Sequence, residues 1–353
     1  MKCVIWAARN VEKAVRNELE IVPCFRFGLE VEQNSTVLAD AFFADLLHAS
    51  RQSRPPPRTT YFIHTTTATQ IEPAVRFIAR DEHRDDRLII MLRYSILINP
   101  NNPDRHMVEE YRRALNCIAT HRAMDRVRLV TDSDMLADEY AIITDLPIDI
   151  VPIPHVGGDV QPNGARKSRT LTYLGNARSS KGFQYLPYVV SQIRPELTRG
   201  AWAAEFQSNV MFERDTESTY ALCALRNEPV TLWEDDLSLP AYDALLNRAS
   251  LVVLPYQLLW YHAQTSGVFA EAIGKGKPVV VPSGTWMARQ IGESGAGVRF
   301  APGDRVDLAR AVREAMLDIE DLEEKAARTR SAWIARHNPE MFLNRLLAEK
   351  RAP

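Results

Sequence analysis

Thr265, Ser266 and Gly267 put small side chains and free backbone N–H groups directly before an apolar run of helical spacing, Val268, Phe269, Ala272 and Ile273. Ser266 is placed to cap that helix, and Gly274 and Gly276 to end it. The unpaired N–H groups and the dipole of a helix N-terminus favour an anion, most often a phosphate. Thr265, Ser266, Gly267 and Val268 are therefore a candidate phosphate cradle. Glu271 follows on the same helix, roughly 7–8 Å along the axis from the cap. A carboxylate at that reach can accept hydrogen bonds from sugar hydroxyls beyond a phosphate, or it can simply favour the dipole from a solvated face.

A second group lies upstream. Arg178 and Lys181 follow Gly175, between a predicted strand and a predicted helix. Two cations beside a helix N-terminus can neutralise a diphosphate and stabilise the charge that builds on it as a leaving group departs. Two solvated surface cations are the plain alternative. Gln207 ends a strand and can face a pyrophosphate. Tyr256, Trp260, Tyr261 and His262 make an aromatic loop able to stack on a sugar or base face, or to anchor packing; Trp286 reads as packing. His64 ends a strand, either as a neutral hydrogen-bonding partner for a hydroxyl or as a buried structural histidine. Arg93 can bind an anionic acceptor or the donor phosphate, or pair with Asp132.

The elements that carry these residues alternate. Leu251 to Leu254 is a short, wholly apolar run, as expected for a strand buried on both faces of a parallel sheet, and Pro278 to Val281 is another. Strand, loop, helix, strand is a βαβ unit with its functional edge in the loop. Further strands are predicted near Arg169–Leu174, Ala201–Gln207, Val230–Leu232 and Gly297–Phe300. The first half predicts strands at Cys3–Trp6, Thr60–His64, Leu88–Leu92, Val127–Thr131 and Ile148–Ile153. Its predicted helices run over Val11–Leu19, Ser35–Ala49, Glu72–Ala79 (Pro73 in the first turn) and His106 to about Thr120. Pro55, Pro56 and Pro57 mark a surface loop. The stretch around Gly157 and Gly158 is rich in proline and glycine and reads as an interdomain linker. Asp304 to Leu347 is helical, with a break near Asn338 and Pro339. This order predicts an α/β protein with a doubly wound parallel sheet in each half.

The run SGVFAEAIGKGKPVVVP, with TWMA after it, resembles the donor-site signature of GT-B glycosyltransferases, close to family 4. YLGNARSSKGFQYLP, Tyr173 to Pro187, resembles the other donor-site segment of that group. The resemblance covers roughly the second half of the chain. It implies two Rossmann-like domains facing a cleft: an acceptor domain over residues 1–155, a linker over 156–168, a donor domain over 169–335, and a C-terminal helix over 336–353 returning to the first domain. It also implies Arg178 and Lys181 on the diphosphate, Glu271 on the ribose of a nucleotide sugar, retention of anomeric configuration, and no metal and no cofactor. The chain departs from the group at three places. Ala263 stands where the first motif glutamate is expected, Asn176 where many relatives have the arginine, and AARN where a glycine-rich loop is usual. Sugar recognition then falls to backbone N–H groups, His262, Gln264 or Thr265.

With 353 residues, 46% hydrophobic and 25% charged, the chain suits two globular domains. A formal net charge of −2 offers no field for nucleic acid. Cys3, Cys24, Cys117 and Cys223 are scattered, which argues against a zinc site or disulfide framework and fits a reducing cytosol. No stretch reads as a signal peptide or membrane span, so a cytoplasmic location is expected, with peripheral contact at the inner membrane face left open. The expected function is sugar transfer from a nucleotide-diphosphate sugar to a hydroxyl acceptor: a saccharide, a lipid-linked acceptor or a small molecule. A nucleotide-sugar epimerase or hydrolase on the same fold, or a catalytically quiet sugar-nucleotide-binding protein, are the alternatives.

Overall fold

The computed structural model describes residues 4–8, 21–26, 36–97, 107–155, 169–209, 215–292 and 294–348. The predicted helix over Val11–Leu19, the AARN loop beyond Ala8 and the 156–168 linker lie outside them. The chain divides into two compact units, one reaching to Val151 and resuming at Leu346, the other spanning Pro152–Arg345.

In the first unit, β1 (Ile5–Ala8) and β2 (Ile21–Phe25) pair in parallel. A second parallel sheet runs in chain order: β3 (Thr60–Ile63), β4 (Arg87–Leu92), β5 (Val127–Thr131) and β6 (Ile148–Ile150). Only Arg87 of β4 is exposed, and the other five residues are buried, as its unbroken apolar run requires of a strand covered on both faces. Trp6, Tyr61 and Phe77 form an aromatic chain, with ring centroids 5.5 Å and 5.1 Å apart along it. The helix predicted from Glu72 begins earlier and spans Ala68–Ile78, which puts Pro73 in its second turn. The reason is a local start signal: the Gln70 side chain accepts from the Thr67 N–H at 3.1 Å, fixing the first turn upstream of the proline. Arg128 donates to the carbonyl of Leu346 at 2.7 Å, which ties the returning chain end to β5.

The second unit holds one six-stranded parallel sheet. Its strands are β7 (Arg169–Tyr173), β8 (Trp202–Gln207), β9 (Thr231–Trp233), β10 (Leu251–Val253), β11 (Val279–Pro282) and β12 (Gly297–Phe300). The spatial order β12-β11-β10-β7-β8-β9 means the chain winds outward from β7 in one direction, then returns to the other side of β7 at β10. β7 and β10 are thus neighbours at a topological switch point, with Leu251 opposite Leu171. Loops leaving the carboxyl ends of two such strands diverge and open a crevice between them. Arg178 and Lys181 follow β7, and Tyr256 to Ser266 follow β10. The C-terminal helices span Arg305–Leu317, Ile319–Arg336 and Pro339–Leu347. One break falls near Asn338 as expected, and a second at Asp318, whose ψ of 19° leaves the helical range. Among the described residues no helix is long and apolar enough to cross a membrane.

Candidate functional site

The loops after β7 and β10 are joined by backbone rather than by side-chain contact alone. Gly175, at φ +99°, donates its N–H to Gln207 Oε1 at 2.8 Å, so Gln207 shapes the loop from the end of β8. Ser179–Lys181 makes one tight turn, with Ser179 N–H on Asp215 at 2.6 Å. Gln257 donates from its backbone to Ser180 O at 3.0 Å and from its side chain to Ser179 O at 2.7 Å. Gly182 adopts φ +71°, and a Cβ there would collide with the Pro255 carbonyl, so only glycine lets the two loops lie this close. That glycine also corrects an expectation. The α-helix starts at Leu186, not next to Arg178 and Lys181, because the left-handed Gly182 interrupts the chain between them.

Both cations are half-buried rather than solvated. The Lys181 side chain folds back over Gly175, where an added Cβ would lie 2.5 Å from Nζ. Nζ is also 5.6 Å from the Tyr256 ring. Among the described residues it has neither a carboxylate nor a hydrogen-bond acceptor. Burial first, and the neighbouring charge of Arg178 second, push the ammonium from its ordinary 10.5 down to about 8. Arg178 donates to the Tyr261 hydroxyl at 3.4 Å, and its Nε is buried without a partner among the described residues. Tyr261 packs on Tyr256 with centroids 4.4 Å apart. Tyr256 is 1% exposed and is therefore a packing anchor, not a stacking face. Burial, above all, raises its hydroxyl pKa, and the charges of both Arg178 and Glu271 are felt there, which brings the two sequence groups to one place.

On the β10 side, Ser266 is buried and caps the Gly267–Gly274 helix, its Oγ accepting from Phe269 N–H at 3.2 Å. Among the described residues the N–H groups of Gly267 and Val268 have no acceptor. Thr265 and Val268 are half-buried and Gly267 is exposed. Glu271 is half-buried and is not a solvated dipole residue: Tyr242 donates its hydroxyl to Glu271 Oε2 at 2.5 Å. Desolvation raises the Glu271 pKa from its ordinary value, Tyr242 and Lys275 oppose the rise, and Asp243 adds to it. Ala263 is buried, 1% exposed. The His262 carbonyl accepts from Trp286 N–H at 2.8 Å, and Trp286 packs on Phe269 as expected.

Sequence reasoning missed Tyr242 and His155. Tyr242 lies on the Leu239–Arg248 helix, far from either motif, and a tyrosine among alanines and leucines signals only an amphipathic face. His155 places its Cε1 3.4 Å from where a Gly267 Cβ would stand, and its N–H donates to His337 O at 3.0 Å.

His64 and Arg93 form a group of their own in the first unit. His64 is exposed at the end of β3, with Nδ1 3.1 Å from Thr65 Oγ1. Desolvation on its inner side and then the Arg93 charge lower its pKa, Asp132 opposing, which keeps the ring neutral near pH 7. Arg93 does pair with the buried Asp132, Nε to Oδ2 at 2.9 Å. Among the described residues no three His, Cys, Asp or Glu side chains are placed to hold a metal ion.

Two parallel-sheet units, the second wound about a β7/β10 switch point, define the GT-B fold of glycosyltransferases. Solved structures with this architecture include a glycosyltransferase from Rickettsia africae, with TM-score 0.68 at 9% identity, covering 95% of this chain and 87% of that one. A sucrose-phosphate synthase from Thermosynechococcus elongatus aligns with TM-score 0.63 at 14% identity over 91% and 80% of the two chains. A UDP-forming α,α-trehalose-phosphate synthase from Burkholderia vietnamiensis gives 0.62 at 10% identity over 89% and 79%. No protein-family model and no curated protein matches the sequence.

Proposed function

We propose that the protein is a glycosyltransferase that moves a sugar from a nucleotide-diphosphate donor to a hydroxyl acceptor, with the donor held in the second unit and the acceptor recognised by the first. The observation that carries this reading is the pair of half-buried cations at the end of β7. Arg178 and Lys181 repel one another, and neither has a carboxylate among the described residues. A diphosphate supplies the missing negative charge. Its second set of donors is the open N–H pair of Gly267 and Val268, and Glu271 Oε1 is available to a ribose. The sugar-transferring neighbours support the reaction class.

In this reading the bond between the anomeric carbon and the β-phosphate oxygen breaks as the acceptor oxygen bonds to that carbon. The electron pair goes to the phosphate oxygen, where Lys181, Arg178 and the helix end stabilise it. The departing phosphate takes the acceptor proton on the same face, so configuration is retained and no side-chain base is required. The two cations do the work that a divalent ion would otherwise do, so transfer is metal-independent. Arg93 and the neutral His64 are proposed to contact the acceptor, and Tyr261 and His262 the donor sugar.

Mass spectrometry of the protein with UDP-, GDP- and ADP-sugars tests this directly. Acceptor-dependent release of nucleoside diphosphate is the expected result. Donor hydrolysis without an acceptor favours a hydrolase instead. Binding with no turnover favours the quiet binder that the buried Ala263 at the first motif position suggests.

A further inference from the structure

Resting on that reading, the geometry assigns Tyr242 a part in donor recognition. We propose that it is a positioning residue: its hydroxyl grips Glu271 Oε2 and thereby turns Oε1 toward the ribose hydroxyls of a bound nucleoside diphosphate. The hydrogen bond is short, 2.5 Å, and Oε1 has no donor among the described residues. Tyr242 comes from a different element, the Leu239–Arg248 helix, and meets Glu271 across the gap to the Gly267–Gly274 helix.

A phenol at this place is not needed to staple the two helices. The buried Lys275 already bridges them, with Nζ 2.8 Å from Asp243 and 3.0 Å from Asn247 Oδ1, and Lys277 adds a bond to the Asn247 carbonyl at 2.8 Å. What the phenol adds falls on Glu271 alone. A half-buried carboxylate has two costs, desolvation and loss of a fixed orientation, and one charge-assisted hydrogen bond offsets both. The groups facing Glu271 are few: Tyr242 and Asp243 from one helix, Lys275 beyond its own, and Tyr256 from the β10 loop. Lys275 is engaged by Asp243, so Tyr242 is the group whose loss changes the carboxylate most. Its removal also lets Glu271 take up a proton at higher pH, because the hydrogen bond opposes the rise caused by desolvation.

The test is calorimetric titration of wild type, Tyr242→Phe, Glu271→Gln and the double variant with UDP, GDP and ADP and with their 2′,3′-dideoxy forms, at pH 8 and pH 5.5. If wild type binds none of the ribonucleoside diphosphates, the donor-site reading itself fails. If it binds one, Tyr242→Phe is expected to cut the preference for ribose over dideoxyribose by about tenfold, as for one hydrogen bond to a charged group. The loss is expected to be larger at pH 5.5 than at pH 8, and Tyr242→Phe should add nothing further in the Glu271→Gln background. A merely structural tyrosine would weaken both ligand forms equally and leave the preference intact. Unchanged preference at both pH values, or additive losses in the double variant, would overturn the assignment. Should the phenylalanine variant fail to fold, Tyr242→Leu, which carries no hydroxyl and no charge, is read in the same way.

Discussion

Replacing Lys181 by methionine should make the ligand-free protein more stable while destroying its phosphate site. Burial and Arg178 hold the ammonium at about 8 against its ordinary 10.5. Keeping it charged in the folded state therefore costs up to about 3 kcal/mol, and its partial exposure discounts that to about 1–3 kcal/mol. Methionine fills a similar volume and carries no charge. In a unit of about 200 residues each kcal/mol moves Tm by roughly 2–4 °C, so a rise of about 2–12 °C is expected at pH 7. The sign has a pH signature. Between about 8 and 10.5 the unfolded chain binds the proton that the folded chain has released, so wild-type stability gains on the variant as pH rises. The difference should be full below pH 8 and close to zero near pH 10.5. Tryptophan fluorescence follows the right unit, since Trp202, Trp233, Trp260, Trp286 and Trp333 all lie within Pro152–Arg345. A variant that is no more stable than wild type at pH 7, or whose gain ignores pH, would refute the picture of an uncompensated buried cation.

Gly182→Ala should cost at least about 3 kcal/mol, because it combines left-handed strain with a backbone collision. Gly200→Ala, at φ +73° with nothing within 4 Å, should cost only about 1 kcal/mol; urea unfolding compares them. His337 is buried neutral, its pKa lowered by desolvation to about 4 from the ordinary 6.5. Wild type should lose up to about 3 kcal/mol as pH falls from 6.5 to 4, and His337→Phe should flatten that loss in urea midpoints read against pH. Lys181→Ala should lower kcat by roughly 2.7–4 kcal/mol of transition-state stabilisation, whereas Glu271→Ala should mainly raise donor KM, by roughly 1.5–3 kcal/mol. Steady-state kinetics that show the two effects exchanged would reverse the assignment of phosphate and ribose.

Where backbone chemistry dictates the outcome, the fold was legible. The apolar runs of β4, β10 and β11 read as buried parallel strands and are, and Ser266 caps the helix its side chain and spacing indicate. The two motif runs fall on the loops that follow β7 and β10, which lie side by side in the sheet. Three features escaped. The turn at Gly182 depends on contact with Pro255, some seventy residues away, and no local signal encodes it. Tyr242 reaches Glu271 only because the βαβ winding lays one helix beside another. The N-terminal start of the Ala68–Ile78 helix turned on Gln70 reaching back to Thr67, which outweighed the pull of Pro73 toward a first-turn position. Alternation of strand and helix predicted a doubly wound parallel sheet, but which two strands meet at its switch point, β7 and β10, follows from the observed strand order.

The central claim is that Arg178, Lys181 and the open end of the Gly267–Gly274 helix form one diphosphate site within the second unit. Isothermal titration of UDP, GDP and ADP into wild type and Lys181→Met at pH 7 tests it most directly. The expected result is one site per chain for at least one of the three, weakened about 100-fold in the variant. Absence of binding to wild type, or equal binding to both proteins, would contradict it.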